Sequence, residues 1–151
     1  MSDIQAAIGI HQLKKIDDFQ KSREKYVNMY NEGLSDVSEI ITPFQAKNVK
    51  HAWHLYVIQL NLDLMDITRN EFIQELFLNK IGSSVHFIPL HLHPFYKKKL
   101  DFNGRLLNSE YLYERVISLP LYPAMSVKDV QDVIRSIRRI IRNHRKNIKG
   151  A

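Results

Sequence analysis

The sequence predicts an α+β fold: one long N-terminal helix, then a small, mainly antiparallel sheet of about three strands covered by helices. Two observations predict it. A 3.6-residue apolar period governs residues 2–34, 68–81 and 126–141. Between them lie short runs rich in β-branched and aromatic residues, so strand and helix alternate after residue 34.

Residues 2–34 contain no proline, and Ser2 or Asp3 can cap them as one helix. Its second half carries one stripe, Ile16, Phe19, Tyr26, Val27, Tyr30 and Leu34. Its first half differs. Ile4, Ala7, Ile8, Ile10 and Leu13 point in widely different directions, and a helix apolar all round is buried on several sides. A lone domain of 151 residues has too little else to cover it.

Pro43 and the polar stretch 45–50 predict a loop. Residues 51–60, with Trp53, Leu55 and Val57 alternating with His54, Tyr56 and Ile58, predict a strand buried on both faces or nearly so. Thr68 and Glu71 form a capping-box pair for a helix over 68–81, with Phe72, Leu76 and Ile81 near one face and Gly82 as its stop. Residues 83–88 predict a second strand, closed by Pro89. Residues 91–104 hold Pro94 and three lysines and predict a surface loop. Residues 108–116 predict a short helix, and 117–121 a third strand whose Pro120 suggests an edge. Ser126 and Asp129 cap the last helix, whose Val130, Val133, Ile134, Ile137, Ile140 and Ile141 share one face.

Composition narrows the function. The chain has no cysteine, which excludes disulfides and thiolate metal sites and suits a cytoplasmic protein. It has no apolar run long enough for a membrane span. The net charge is +6, but from Arg135 onward there are seven cations and no acid, so the body is near neutral. That pattern disfavours a general nucleic-acid surface. The arginines of the last helix leave open a second reading, a non-enzymatic module binding nucleic acid or another polyanion.

Chemistry concentrates in residues 84–96. Ser84, His86, His91, His93 and Tyr96 lie at a predicted strand end and the following loop, where imidazoles suit a polar or anionic ligand. His91 and His93 lack the acids or second pair that would complete a metal site. The alternative is that these histidines are partly buried and bonded to backbone. No glycine-rich phosphate loop, G-x-S-x-G or H-E-x-x-H occurs, so no complete catalytic apparatus can be assembled.

Four stretches in series carry a family resemblance: Met1-Ser2-Asp3-Ile4-Gln5-Ala6-Ala7-Ile8-Gly9-Ile10-His11-Gln12-Leu13, His51-Ala52-Trp53-His54-Leu55-Tyr56, Gly82-Ser83-Ser84-Val85-His86-Phe87-Ile88-Pro89-Leu90-His91, and Ser118-Leu119-Pro120-Leu121-Tyr122-Pro123. Together they resemble the C-terminal part of the DegT/DnrJ/EryC1/StrS sugar aminotransferases, enzymes of the aspartate-aminotransferase fold type. The resemblance implies an interdomain helix over 1–34 and a C-terminal small domain over 35–151, with the large cofactor-binding domain absent. It implies an activity in which pyridoxal phosphate, held on a lysine of that large domain, moves an amino group to a nucleotide-linked keto sugar. Such chemistry serves amino-sugar, cell-surface polysaccharide or antibiotic-sugar biosynthesis. It implies that His86 contacts substrate, with Ser84, His91 and Tyr96 beside it, and that none is the catalytic base. A fragment of this kind, from a truncated or split gene or an internal start, is expected to bind no cofactor and to be inactive alone. Its expected partners are the missing domain, the nucleotide-sugar substrate and a second copy joined as a homodimer through the N-terminal helix.

Overall fold

The computed structural model describes residues 1–99 and 104–146. Six helices and three strands order them: α1 (Asp3–Leu13), α2 (Ile16–Leu34), β1 (Ile40–Ile41), β2 (Tyr56–Leu60), α3 (Arg69–Leu78), α4 (Pro94–Lys99), α5 (Leu107–Tyr113), β3 (Val116–Leu119) and α6 (Val127–His144). The sheet is antiparallel in the order β1-β2-β3, with Ile40 opposite Leu60 and Val57 opposite Ser118. The predicted α+β class holds. Two of its strands differ from expectation.

Residues 51–55 do not join β2. The Trp53 N–H donates to His51 Nδ1 at 2.9 Å, and Trp53 takes a left-handed φ of 45°. This local bond offers the backbone an alternative to the ladder. Trp53 is still core, 3% exposed, and packs against His51 and Tyr56. Within β2, Tyr56, Ile58 and Leu60 are buried while Val57 and Gln59 are half-buried, so the strand packs fully on one face rather than two. Residues 83–88 form no strand. Ser84 alone pairs with Ser118, through two backbone bonds of 3.2 and 2.8 Å on the outer edge of β3. Pro120 lacks an N–H to carry the ladder on towards Gly82. The third strand is instead β1, two residues long.

The helical layer forms the core. Tyr26, Val27, Tyr30 and Leu34 of α2 and Val130, Val133, Ile137, Ile140 and Ile141 of α6 are buried against β2 and β3. α6 packs on both α2 and α3. Gly33 permits the first contact, because a Cβ there would meet Ile134 Cδ1 at 2.7 Å. The Gly33 carbonyl, orphaned at the helix end, accepts from Arg138 Nε at 2.9 Å. Tyr30 stacks on Tyr56 with ring centroids 4.8 Å apart and donates to Pro120 O at 2.8 Å. Burial pushes both phenols' pKa values up.

Both capping boxes form as predicted, Thr68 with Glu71 and Ser126 with Asp129. α3 stops differently. Ile81 N–H bonds Leu76 O and Lys80 N–H bonds Phe77 O, a Schellman closure with Lys80 left-handed at φ 62°. Lys80 therefore holds the position expected for a glycine, and Gly82 lies beyond the stop. The predicted loop over 91–104 is partly helical, with a 3-10 turn at Leu90–Leu92 followed by α4; residues 100–103 lie outside the described ones.

The N-terminal stretch is two helices. At Lys15 the N–H turns to Gln12 O at 3.0 Å, three residues back, and Phe19 N–H restarts the regular pattern on Lys15 O. No residue of α1 is buried. Ile4, Ile8, Ile10 and Leu13 are 55–75% exposed. Among the described residues no helix is long and apolar enough to cross a membrane.

Candidate functional site

Alternation along β3 positions the site. Ile117 and Leu119 point into the helical core, so Ser118 between them faces the other side of the sheet. Ser118 is 4% exposed, and its Oγ lies 2.8 Å from His86 Nδ1. Ser84 Oγ stands 3.4 Å from the same nitrogen. The Ser84–Ser118 bridge brings the 83–88 segment close enough for this contact. Phe87 packs edge-on against the imidazole at 4.7 Å. Nδ1 is thus occupied by hydroxyls, and Nε2 remains to meet a ligand.

Beside these residues lies a cavity of about 290 Å³ lined by His54, Ser83, Ser84, Ser118 and Pro120, among others. Ser83 Oγ is buried and has no hydrogen-bond partner. A buried hydroxyl in that state is a candidate for a ligand or water contact.

The other predicted residues group elsewhere. His91 Nε2 lies 3.2 Å from Glu110 Oε1 of α5, and both side chains are largely buried. Arg105 also binds Glu110, at 2.6 Å, and its hydrogen bond holds that carboxyl below the usual range. Tyr96 is 38% exposed and meets Phe95 and His93 by its ring edge. The structure therefore joins Ser84 to His86, ties His91 to α5, and leaves Tyr96 on the surface of α4. Sequence reasoning missed Ser118. The available signal was one hydroxyl in an otherwise apolar strand.

The basic helix does not present a continuous charged face. Arg138 binds Asp36, and Arg145 binds Glu39. Arg135 pairs with Asp132 on α6 itself. The described residues contain no group of three side chains able to hold a metal.

Pyridoxal phosphate is held covalently by a lysine in an enclosed pocket with an acid at its ring nitrogen. Every described lysine is exposed. The residues present do not fit that cofactor, and no step through it can be built on them.

Comparison with known proteins gives a consistent picture. The model of the DegT/DnrJ/EryC1/StrS aminotransferase family matches residues 1–138. An uncharacterised protein of Methanocaldococcus jannaschii is 51% identical over 96% of this chain and 38% of its own length. The spore coat polysaccharide biosynthesis protein SpsC of Bacillus subtilis is 45% identical over 94% of this chain and 37% of its own. Among solved structures, Spr1654 of Streptococcus pneumoniae in its PLP form superposes with a TM-score of 0.82 at 27% identity, over 95% of this chain and 36% of that one. The chain thus spans little more than a third of the relatives it matches. A match to the family model over most of its residues shows that this chain belongs to the DegT/DnrJ/EryC1/StrS aminotransferase family.

Proposed function

We propose that this chain is the small-domain part of a pyridoxal-phosphate-dependent aminotransferase acting on nucleotide-linked keto sugars. Turnover then requires a large domain that carries the cofactor. The observation that carries this reading is the family match over residues 1–138 in a chain that covers only 36–38% of its relatives. The bare α1 helix supports it, because Ile4, Ile8, Ile10 and Leu13 need a cover that this chain does not supply.

In this reading His86 holds substrate. In the tautomer whose Nδ1 accepts from the Ser118 hydroxyl, Nε2–H is a donor. A sugar hydroxyl or phosphate oxygen would accept from it. Ser84 steadies the same ring, and Tyr96, on the surface of α4, is free to meet substrate from the 90–96 segment. His91 acts at one remove by fixing the 90–96 segment to Glu110. None of these groups supplies the cofactor's electron-sink chemistry.

The test mixes this chain with the separately produced N-terminal part of the Bacillus relative, pyridoxal phosphate, glutamate and a nucleotide-linked keto sugar. Mass spectrometry follows the amino sugar. Transfer is expected only in the complete mixture, and His86→Ala should weaken substrate binding about tenfold. A chain that alone fixes a pyridoxyl group to one lysine under borohydride, and turns over, refutes the requirement for a second domain.

A further inference from the structure

A second cavity lies apart from the one beside His86. A cleft of about 940 Å³ lies between the end of α3, the 120–125 loop and α6. Gly82 and Pro120 line both cavities, so the two lie back to back. The cleft's volume falls within the usual range for small-molecule sites.

Its charge is one-sided. Arg135, Arg139 and Arg142 stand at i, i+4 and i+7 on α6, and all three line the cleft with Lys80. Two carboxylates line it too, and both are engaged. Asp129 accepts from the Ser126 N–H at 2.7 Å, and Asp132 pairs with Arg135. The side chains of Lys80, Arg139 and Arg142 form no hydrogen bond or ion pair among the described residues. Like charges converging on one concavity repel, and the two carboxylates offset only part of the four cations.

Lys80 adds a second observation. It adopts φ 62° where glycine costs least, so a strained cation stands at the cleft's lip. Tyr122, half exposed, also lines the cleft. We propose that this cleft binds a small organic anion bearing two or more phosphate charges, with Lys80, Arg139 and Arg142 as its ligands. A nucleic acid is disfavoured, because Arg138 and Arg145 are taken by Asp36 and Glu39 and leave no extended basic track along α6. The site is independent of the aminotransferase reading.

The experiment is calorimetric titration of the whole chain with inorganic pyrophosphate at low salt. Saturable one-to-one binding is expected. Arg139→Ala with Arg142→Ala should weaken it at least about tenfold. Lys97→Ala with Lys98→Ala removes the same charge from α4, away from the cleft, and should leave it unchanged. Lys80→Gly relieves the backbone, so its expected loss of affinity cannot come from misfolding. Heats that never saturate overturn the site. So does equal weakening by the α4 pair, or single-stranded DNA that binds without being displaced by pyrophosphate.

Discussion

The hydroxyl of Ser118, buried in β3, lies 2.8 Å from Nδ1 of His86 and sets the orientation of that imidazole. The contact needs the backbone bridge at Ser84, so strand pairing and side-chain placement are one arrangement. Ser118→Ala should free the ring and cost about 1 kcal/mol of stability, the usual value for one hydrogen bond. Nitrogen chemical shifts of the His86 ring would report the loss as a changed tautomer balance. Ser84→Ala should do much less, since Ser84 is exposed and its contact is 3.4 Å. Equal effects from the two variants would assign the orientation to something else.

Glu39 makes stability depend on acid. Its side chain is 2% exposed and bound by Arg145. Burial alone would raise its pKa, but the Arg145 hydrogen bond and charge, a backbone hydrogen bond and the Ser38 hydroxyl together outweigh that and hold it below the ordinary 4.5. A carboxyl lowered in the folded state stabilises fully above its unfolded value. That contribution disappears as pH falls through the lowered folded value. Urea midpoints should therefore hold steady down to about pH 5 and then fall. Arg145→Ala leaves the carboxylate buried and unpaired. More than half of Arg145 faces solvent, so the expected loss of stability at neutral pH is smaller than for a fully buried pair. The variant should also lose much of the acid-induced fall. An unchanged pH profile would remove Glu39 as its source.

The features readable from sequence were those with local causes. Thr68–Glu71 and Ser126–Asp129 announce helix starts because the capping bonds lie within four residues. The buried face of α6 follows from spacing alone. Features set by distant partners were not readable. β1 is two residues long and exists through β2. Residues 83–88 look like a strand, but their pairing with β3 is a single bridge at Ser84. In the candidate site, His86 was legible from its motif, while Ser118 was hidden because its role depends on which face of β3 it occupies.

Lys80 offers a direct stability test. Non-glycine residues in the left-handed region carry a penalty of roughly 1–2 kcal/mol, and Lys80 sits there at φ 62°. Lys80→Gly should raise unfolding free energy by about 1 kcal/mol. Gly82→Ala should not mimic it, since Gly82 has no positive φ and open space around its missing Cβ. Denaturant melts of the two variants separate the cases. A Lys80→Gly protein no more stable than the parent would show that the closure costs nothing.

The last prediction concerns α1. Its isoleucines are exposed, and it contributes no residue to the core. Apolar surface of this kind is buried when a partner is available. In a solution of this chain by itself, a second copy is the available partner, and a two-fold pairing of α1 helices would be self-complementary. Sedimentation velocity should show concentration-dependent association. Ile4→Lys with Ile8→Lys and Ile10→Lys should give a monomer. The same variant should keep its urea midpoint in the monomeric range, because α1 stands outside the folded core. Association that survives the three lysines would place the contact elsewhere. A lowered midpoint would show that α1 does support the core.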